Sequence, residues 1–146
     1  LSAIFNYVCW IGSQFNETKD RRELYVEGMT RITLHERALL YRLLHGSDEV
    51  KGLLDIEGVK VAVDMDDLTQ RDLIVPIVFD KMTCEEASRA YEAQGVVVHE
   101  RTDASLYSAR QVNSIGLHGI VRVSPLHCHT YADIDEFLRI TAEIAK

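Results

Sequence analysis

The stretch from Asn16 to Gly46 limits most strongly what this chain can fold into. Tyr25, Met29, Ile32, Leu39, Leu40, Leu43 and Leu44 recur within it at helical spacing, which places them on one stripe of a single helix. Asn16 is expected as its N-cap, with Glu17 and Asp20 in the first turn, where the helix dipole favours acids, and Gly46 as its stop. A helix of that length runs to about 45 Å. That is long for a small domain, and such a helix bridges two bodies. Ile4, Phe5, Val8 and Ile11 form a shorter helical stripe ahead of it, over residues 1–11, ended by Gly12-Ser13.

Past Gly46 the elements become short. Val59–Val63 alternates and reads as a strand. Asp64–Arg71 is a polar connection, and its Asp64-Met65-Asp66-Asp67 run reads as a solvated turn rather than a cation site. Leu73–Phe79 is apolar and β-branched, as an inner strand is, although Pro76 within it argues for an edge or a bulge. Thr83-Cys84-Glu85-Glu86 is a capping box opening a helix to about Gln94, where Gly95 stops it. Val96–Val98 is read as the next strand, residues 100–118 as an irregular loop with room for a short helical turn, and Ile120–Val123 as the last strand. Thr130-Tyr131-Ala132-Asp133 is a second capping signal. It starts a terminal helix with Ile134, Phe137, Leu138, Ile144 and Ala145 on one face. Two helices followed by β-β-α-β-β-α predict an α+β fold, a small and mainly antiparallel sheet covered on one face by helices. The expected division is a helical segment over 1–45 and a small α+β domain over 46–146.

Composition narrows the function. With a formal net charge of -7 over 146 residues, electrostatic attraction to nucleic acid or to anionic lipid is excluded as the basis of binding. Cys9, Cys84 and Cys128 form no paired framework, which fits a reducing cytoplasm. The opening apolar run lacks a basic front, contains Asn6 and is too short to span a bilayer, so no membrane role is expected. Leu1 in place of Met suggests a fragment or a processed chain.

The segment from Gly116 to Leu138 carries a family resemblance. Its strand reads Val121-Arg122-Val123-Ser124, Cys128-His129-Thr130 follows, and the helix opens Asp133-Ile134-Asp135 with Phe137-Leu138 behind. This order resembles the end of class V aminotransferases, the fold-type I pyridoxal-phosphate enzymes, and within them the cysteine desulfurase-like and selenocysteine lyase-like branch. Those enzymes show V-R-x-S/G, then Y-N-T, then a helix. The His35-Glu36-Arg37-Ala38-Leu39-Leu40 helix resembles their long interdomain helix, and Ile74–Phe79, the helix after Thr83 and Gln94-Gly95-Val96-Val97-Val98 resemble their small-domain β-α-β. The resemblance covers essentially the whole chain. It implies the C-terminal small domain of an enzyme whose large domain binds pyridoxal 5'-phosphate, a homodimer, and an amino-acid substrate.

The same resemblance assigns candidate residues. Arg122 falls where family members clamp the substrate carboxylate; a guanidinium pairs both oxygens at once, and an arginine inside an apolar strand needs a partner. The alternative is an arginine on the solvent face of a two-sided sheet. His99 stands roughly where relatives carry an arginine and Arg101 is its substitute; either fits equally as a solvated loop residue. His129 replaces an asparagine at the mouth of the family's active site. The stretch His99–Tyr107 holds no cysteine, so the thiolate that takes up sulfur in a desulfurase is missing there. Lys19, Lys51, Lys60, Lys81 and Lys146 lack the histidine that precedes the cofactor's lysine in the family. The chain is therefore expected to be inactive alone. His127-Cys128-His129 falls short of a metal site for want of further ligands. A non-catalytic α+β interaction or regulatory module, docking through the long helix, is the reading from another class.

Overall fold

The computed structural model describes residues 1–146. Two helices, α1 (Ser2–Ser13) and α2 (Arg21–His45), precede a unit with strands β1 (Val59–Val61), β2 (Val75–Phe79), β3 (His99–Thr102) and β4 (Gly119–Val123). Its helices are α3 (Cys84–Ala93), α4 (Ala109–Ser114) and α5 (Tyr131–Ile144). The four strands form one sheet in the order β1-β2-β4-β3, and every pairing is antiparallel. The expected α+β class and mainly antiparallel sheet are what the chain forms. No helix is long and apolar enough to cross a membrane.

Helix α2 starts later than expected. Its N-cap is Asp20, whose carboxylate accepts from the backbone N–H groups of Arg22 (2.7 Å) and Glu23 (3.1 Å). Asn16 instead accepts from the N–H of Thr18 and closes a local turn. An Asx side chain satisfies a turn as readily as a helix start, and here two caps compete within five residues. Gly46 does end the helix, at φ 70°. The 25 residues of α2 span about 37 Å. Their N-terminal half lies against α1, where a Cβ on Gly12 would overlap the carbonyl oxygen of Leu24 and one on Gly28 that of Val8. Only hydrogen at both points lets the backbones approach so closely. The C-terminal half sends Leu39, Leu40, Leu43 and Leu44 into the main core.

That core lies on one face of the sheet. Val75 stands opposite Val123 and Ile77 opposite Val121, and all four are buried with Ala87 and Tyr91 of α3 and Ile134, Phe137 and Leu138 of α5. Strand β2 is an inner strand despite Pro76. The Pro76 carbonyl accepts from Ala62 N–H (2.8 Å), so the proline's missing donor also faces β1, which has ended at Val61. The reciprocal bond to the Ala62 carbonyl cannot form, and the β1–β2 ladder stops there, while the pairing with β4 needs nothing from the Pro76 nitrogen. Both capping boxes form, Thr83 with Glu86 and Thr130 with Asp133. Hydrogen bonds from Thr83 and Thr130 hold the Glu86 and Asp133 carboxyls below the usual carboxylate range.

The strand expected at Val96–Val98 forms three residues later. Antiparallel pairing sets its limits: β4 ends at Val123, and His99 is already opposite Arg122. Val98 falls opposite Val123, the last residue of β4, and Val97 and Val96 lie past its end, so the three serve as the rise from α3 to the sheet edge. His99 and Arg101, read as loop residues, are edge-strand residues.

Tyr91 is fully buried and stacks on Phe137 with ring centroids 5.2 Å apart. Thr141 donates to the Phe137 carbonyl (2.7 Å), so the 2.6 Å contact with Tyr91 is a bond donated by the tyrosine. Burial raises the tyrosine's pKa and keeps the phenol protonated. Thr141→Val strands the Tyr91 hydroxyl, at a cost of about 1–3 kcal/mol; Tyr91→Phe leaves Thr141 still donating, at about 0.5–1.5 kcal/mol. Urea unfolding of both variants is expected to rank Thr141→Val as the less stable.

Candidate functional site

The pleat of β4 points Ile120 and Arg122 away from the core, because Val121 and Val123 point into it. Cross-strand register then sets the neighbours of Arg122, with Pro76 opposite on β2 and His99 opposite on β3. Arg101 is opposite Ile120, on the same face and one diagonal step from Arg122, within reach of long side chains. Arg122 is half-buried, and its Nε is buried with no hydrogen-bond partner. A buried guanidinium donor left unpaired carries a desolvation cost, so its natural complement is an acceptor brought by another molecule or domain.

A cleft of about 440 Å³ opens at the β3–β4 edge, and Arg122, His99 and His129 line it together with Val123, Pro125 and Phe137. Three of the four residues singled out in the sequence meet there. Arg101 is not among its walls. It lines a second cleft of about 310 Å³ on the outer face, to which Arg122 also contributes. Arg101 Nη1 donates only to the Glu100 carbonyl (3.2 Å).

His129 is held in place by its own turn. Its Nδ1 accepts from Leu126 N–H (2.9 Å), and its backbone N–H donates to the Leu126 carbonyl (2.9 Å). The helical arm braces this turn from outside. His35 of α2 donates to the His129 carbonyl (3.0 Å), Tyr7 of α1 bonds His127 (3.1 Å), and Glu36 lies 3.8 Å from His127. Sequence reasoning missed the roles of Tyr7, His35 and Glu36, since each partner is about ninety residues or more away. A second tie is Arg42 on α2, which grips both oxygens of Asp135 on α5 (2.7 and 2.8 Å). The hydrogen bonds from Arg42 hold the Asp135 carboxyl below its ordinary range.

None of the five lysines lines either cleft. Lys51, Lys81 and Lys146 line a separate cleft with Asp80 beside β1, at the sheet edge farthest from His99, and Lys60 pairs with Asp80. No amine is placed to hold pyridoxal phosphate covalently in the Arg122 cleft, so these residues do not fit that cofactor as a complete site. No group of three or more His, Cys, Asp or Glu side chains is placed to bind a metal.

No family model matches the chain, and no curated protein matches it in sequence. Among solved structures, the apo structure of a cysteine desulfurase from Thermococcus onnurineus NA1 is similar, with a TM-score of 0.69 and 18% identity over 86% of this chain. This chain spans 28% of the length of that protein. The chain thus has a cysteine desulfurase-like fold, that of a small α+β domain from such an enzyme.

Thiol chemistry differs sharply among the three cysteines. Cys9 is buried, Cys128 is exposed beside His129, and Cys84 is half-buried. Burial, and then the Glu85 carboxylate, push the Cys84 thiol up to about 12, so almost none of it is the reactive thiolate at neutral pH. Brief treatment with iodoacetamide at pH 7.5 is expected to alkylate Cys128 and leave Cys9 and Cys84 at least tenfold less modified, as read by peptide mass spectrometry.

Proposed function

We propose that this chain is the C-terminal small domain of a pyridoxal-phosphate-dependent enzyme of the class V aminotransferase and cysteine desulfurase-like type, acting on an amino acid. The convergence of Arg122, His99 and His129 on one cleft carries this reading, in a fold shared with part of a cysteine desulfurase. Arg122 takes the substrate's α-carboxylate with its planar fork. His99 and His129 flank that position and present ring nitrogens to the substrate's polar groups. Arg101 supports the carboxylate from the outer face.

The chemistry at the α- or β-carbon belongs to the large domain, which brings pyridoxal 5'-phosphate and its lysine. The segment 1–45 leads out of that domain, and 46–146 closes over it. Exposed Ile4 (65%), Trp10 (59%) and Phe15 (56%) on and just after α1 are apolar surface that the large domain or the second subunit of a homodimer covers. The enzyme is placed in the cytoplasm, in keeping with three free thiols. No cysteine follows β3 within His99–Tyr107, so the transformation is an elimination or transfer that needs no sulfur-accepting thiolate there.

Two outcomes follow. The 146-residue chain mixed with pyridoxal phosphate and borohydride is expected to yield no stoichiometric adduct at a single lysine; one such adduct by mass spectrometry overturns the division of labour. In the full-length enzyme, Arg122→Leu is expected to leave the cofactor spectrum intact and remove about 1.5–3 kcal/mol of charge-assisted pairing. That is roughly tenfold to more than a hundredfold in kcat/KM for amino acids, with little change for an analogue lacking the α-carboxylate. Equal losses on both substrates take Arg122 out of the site.

A further inference from the structure

The cleft on the outer sheet face has a composition that carboxylate binding by Arg122 does not by itself require. Arg71, Arg101 and Arg122 all line it. Arg71 is spent, with a side chain only 6% exposed and paired to Asp64 at 3.1 Å. The one carboxylate in the walls is Asp72. Three arginines against Asp72 and Asp64 leave one positive charge over. The uncommitted donors are on Arg101, bonded only to a neighbouring carbonyl, and on Arg122, whose buried Nε has no partner.

Gln111 and Ser114 add neutral polar groups to the walls, and the rest are apolar. Met65 (42% exposed) and Ile74 (48%) form the rim with Ile115 (36%), while Ile120 (4%) forms the floor. Exposed aliphatic groups gathered around a cleft are surface that a ligand removes from water. A simple oxyanion site would have no use for them. At about 310 Å³ the space is at the small end of ligand sites.

We propose that this outer-face cleft binds a monocarboxylate carried on an aliphatic body. The acid sits between Arg101 and Arg122, and the hydrocarbon lies along Met65, Ile74 and Ile120. The inference goes beyond the domain assignment, because it concerns a site contained in this chain and needs no cofactor. Where the domain assignment also holds, it makes the preferred amino acid one with an aliphatic side chain.

The test uses the 146-residue chain labelled with ¹⁵N. Arginine Nε–Hε resonances are followed while acetate, butyrate, hexanoate, hexylammonium and inorganic phosphate are titrated in turn, with Arg122→Lys assigning its signal. The Arg122 signal is expected to move saturably with hexanoate. The Kd should fall about two- to fourfold per added methylene, as burial of CH₂ groups dictates, and hexylammonium should leave the signal in place. Ile74→Asn, a neutral change at an exposed position, should flatten the dependence on chain length while acetate still binds. Phosphate binding as tightly as hexanoate, equal response to acetate and hexanoate, or no saturable response overturns the proposal. The domain assignment is judged separately by the Arg122→Leu kinetics, which none of these outcomes decides.

Discussion

Val75, Ile77, Val121 and Val123 project to a single face of the two central strands, and their burial under α2, α3 and α5 commits everything that alternates with them. A strand's side chains have a period of two, so a core-facing valine on each side of Arg122 leaves the arginine no other direction. Pro76, Val78, Ile120, His99 and Arg101 follow by register. The site is thus a consequence of which face the helices cover. A slip of one residue in the β2–β4 pairing would bury Arg122 under Tyr91 and Phe137, at a desolvation cost the domain could not sustain.

The helical arm is tied to the same site from its other side. Glycines at positions 12 and 28 draw α1 and α2 together at backbone distance. The pair then reaches the turn at 125–129 through Tyr7, His35 and Glu36, and reaches α5 through the Arg42–Asp135 fork. His129 therefore sits in a turn clamped by residues that lie before the sheet in the chain. Displacement of α1 would be felt in the cleft without altering any residue that lines it.

Local chemistry made much of the fold legible in the sequence. The two capping boxes, the Gly46 stop and the leucine stripe of α2 act over a few residues, and the structure has all of them. The resemblance carried by Val121-Arg122-Val123-Ser124 named three residues that meet in one cleft. Reading failed where two local solutions had similar strength, as with Asn16 and Asp20, or where an element has meaning only through its partner. Val96–Val98 has the stronger β propensity, yet His99–Thr102 forms the strand because these four residues lie opposite Gly119–Arg122 of β4, while Val96 and Val97 would lie past its end.

What the sequence by itself determined is the order and kind of elements, since capping, turn and amphipathic patterns draw on neighbours a few residues away. It also determined that none of the five lysines follows a histidine and that His99–Tyr107 holds no cysteine. Only the tertiary structure decided which arginines share a cleft, that Arg122 Nε is buried without a partner, that Arg71 is spent on Asp64, and that Met65 and Ile74 border an outer-face site. Those facts depend on register across strands and on contacts between residues far apart in the chain. Periodicity assigns a side chain to a face but leaves open what the folded chain brings opposite it.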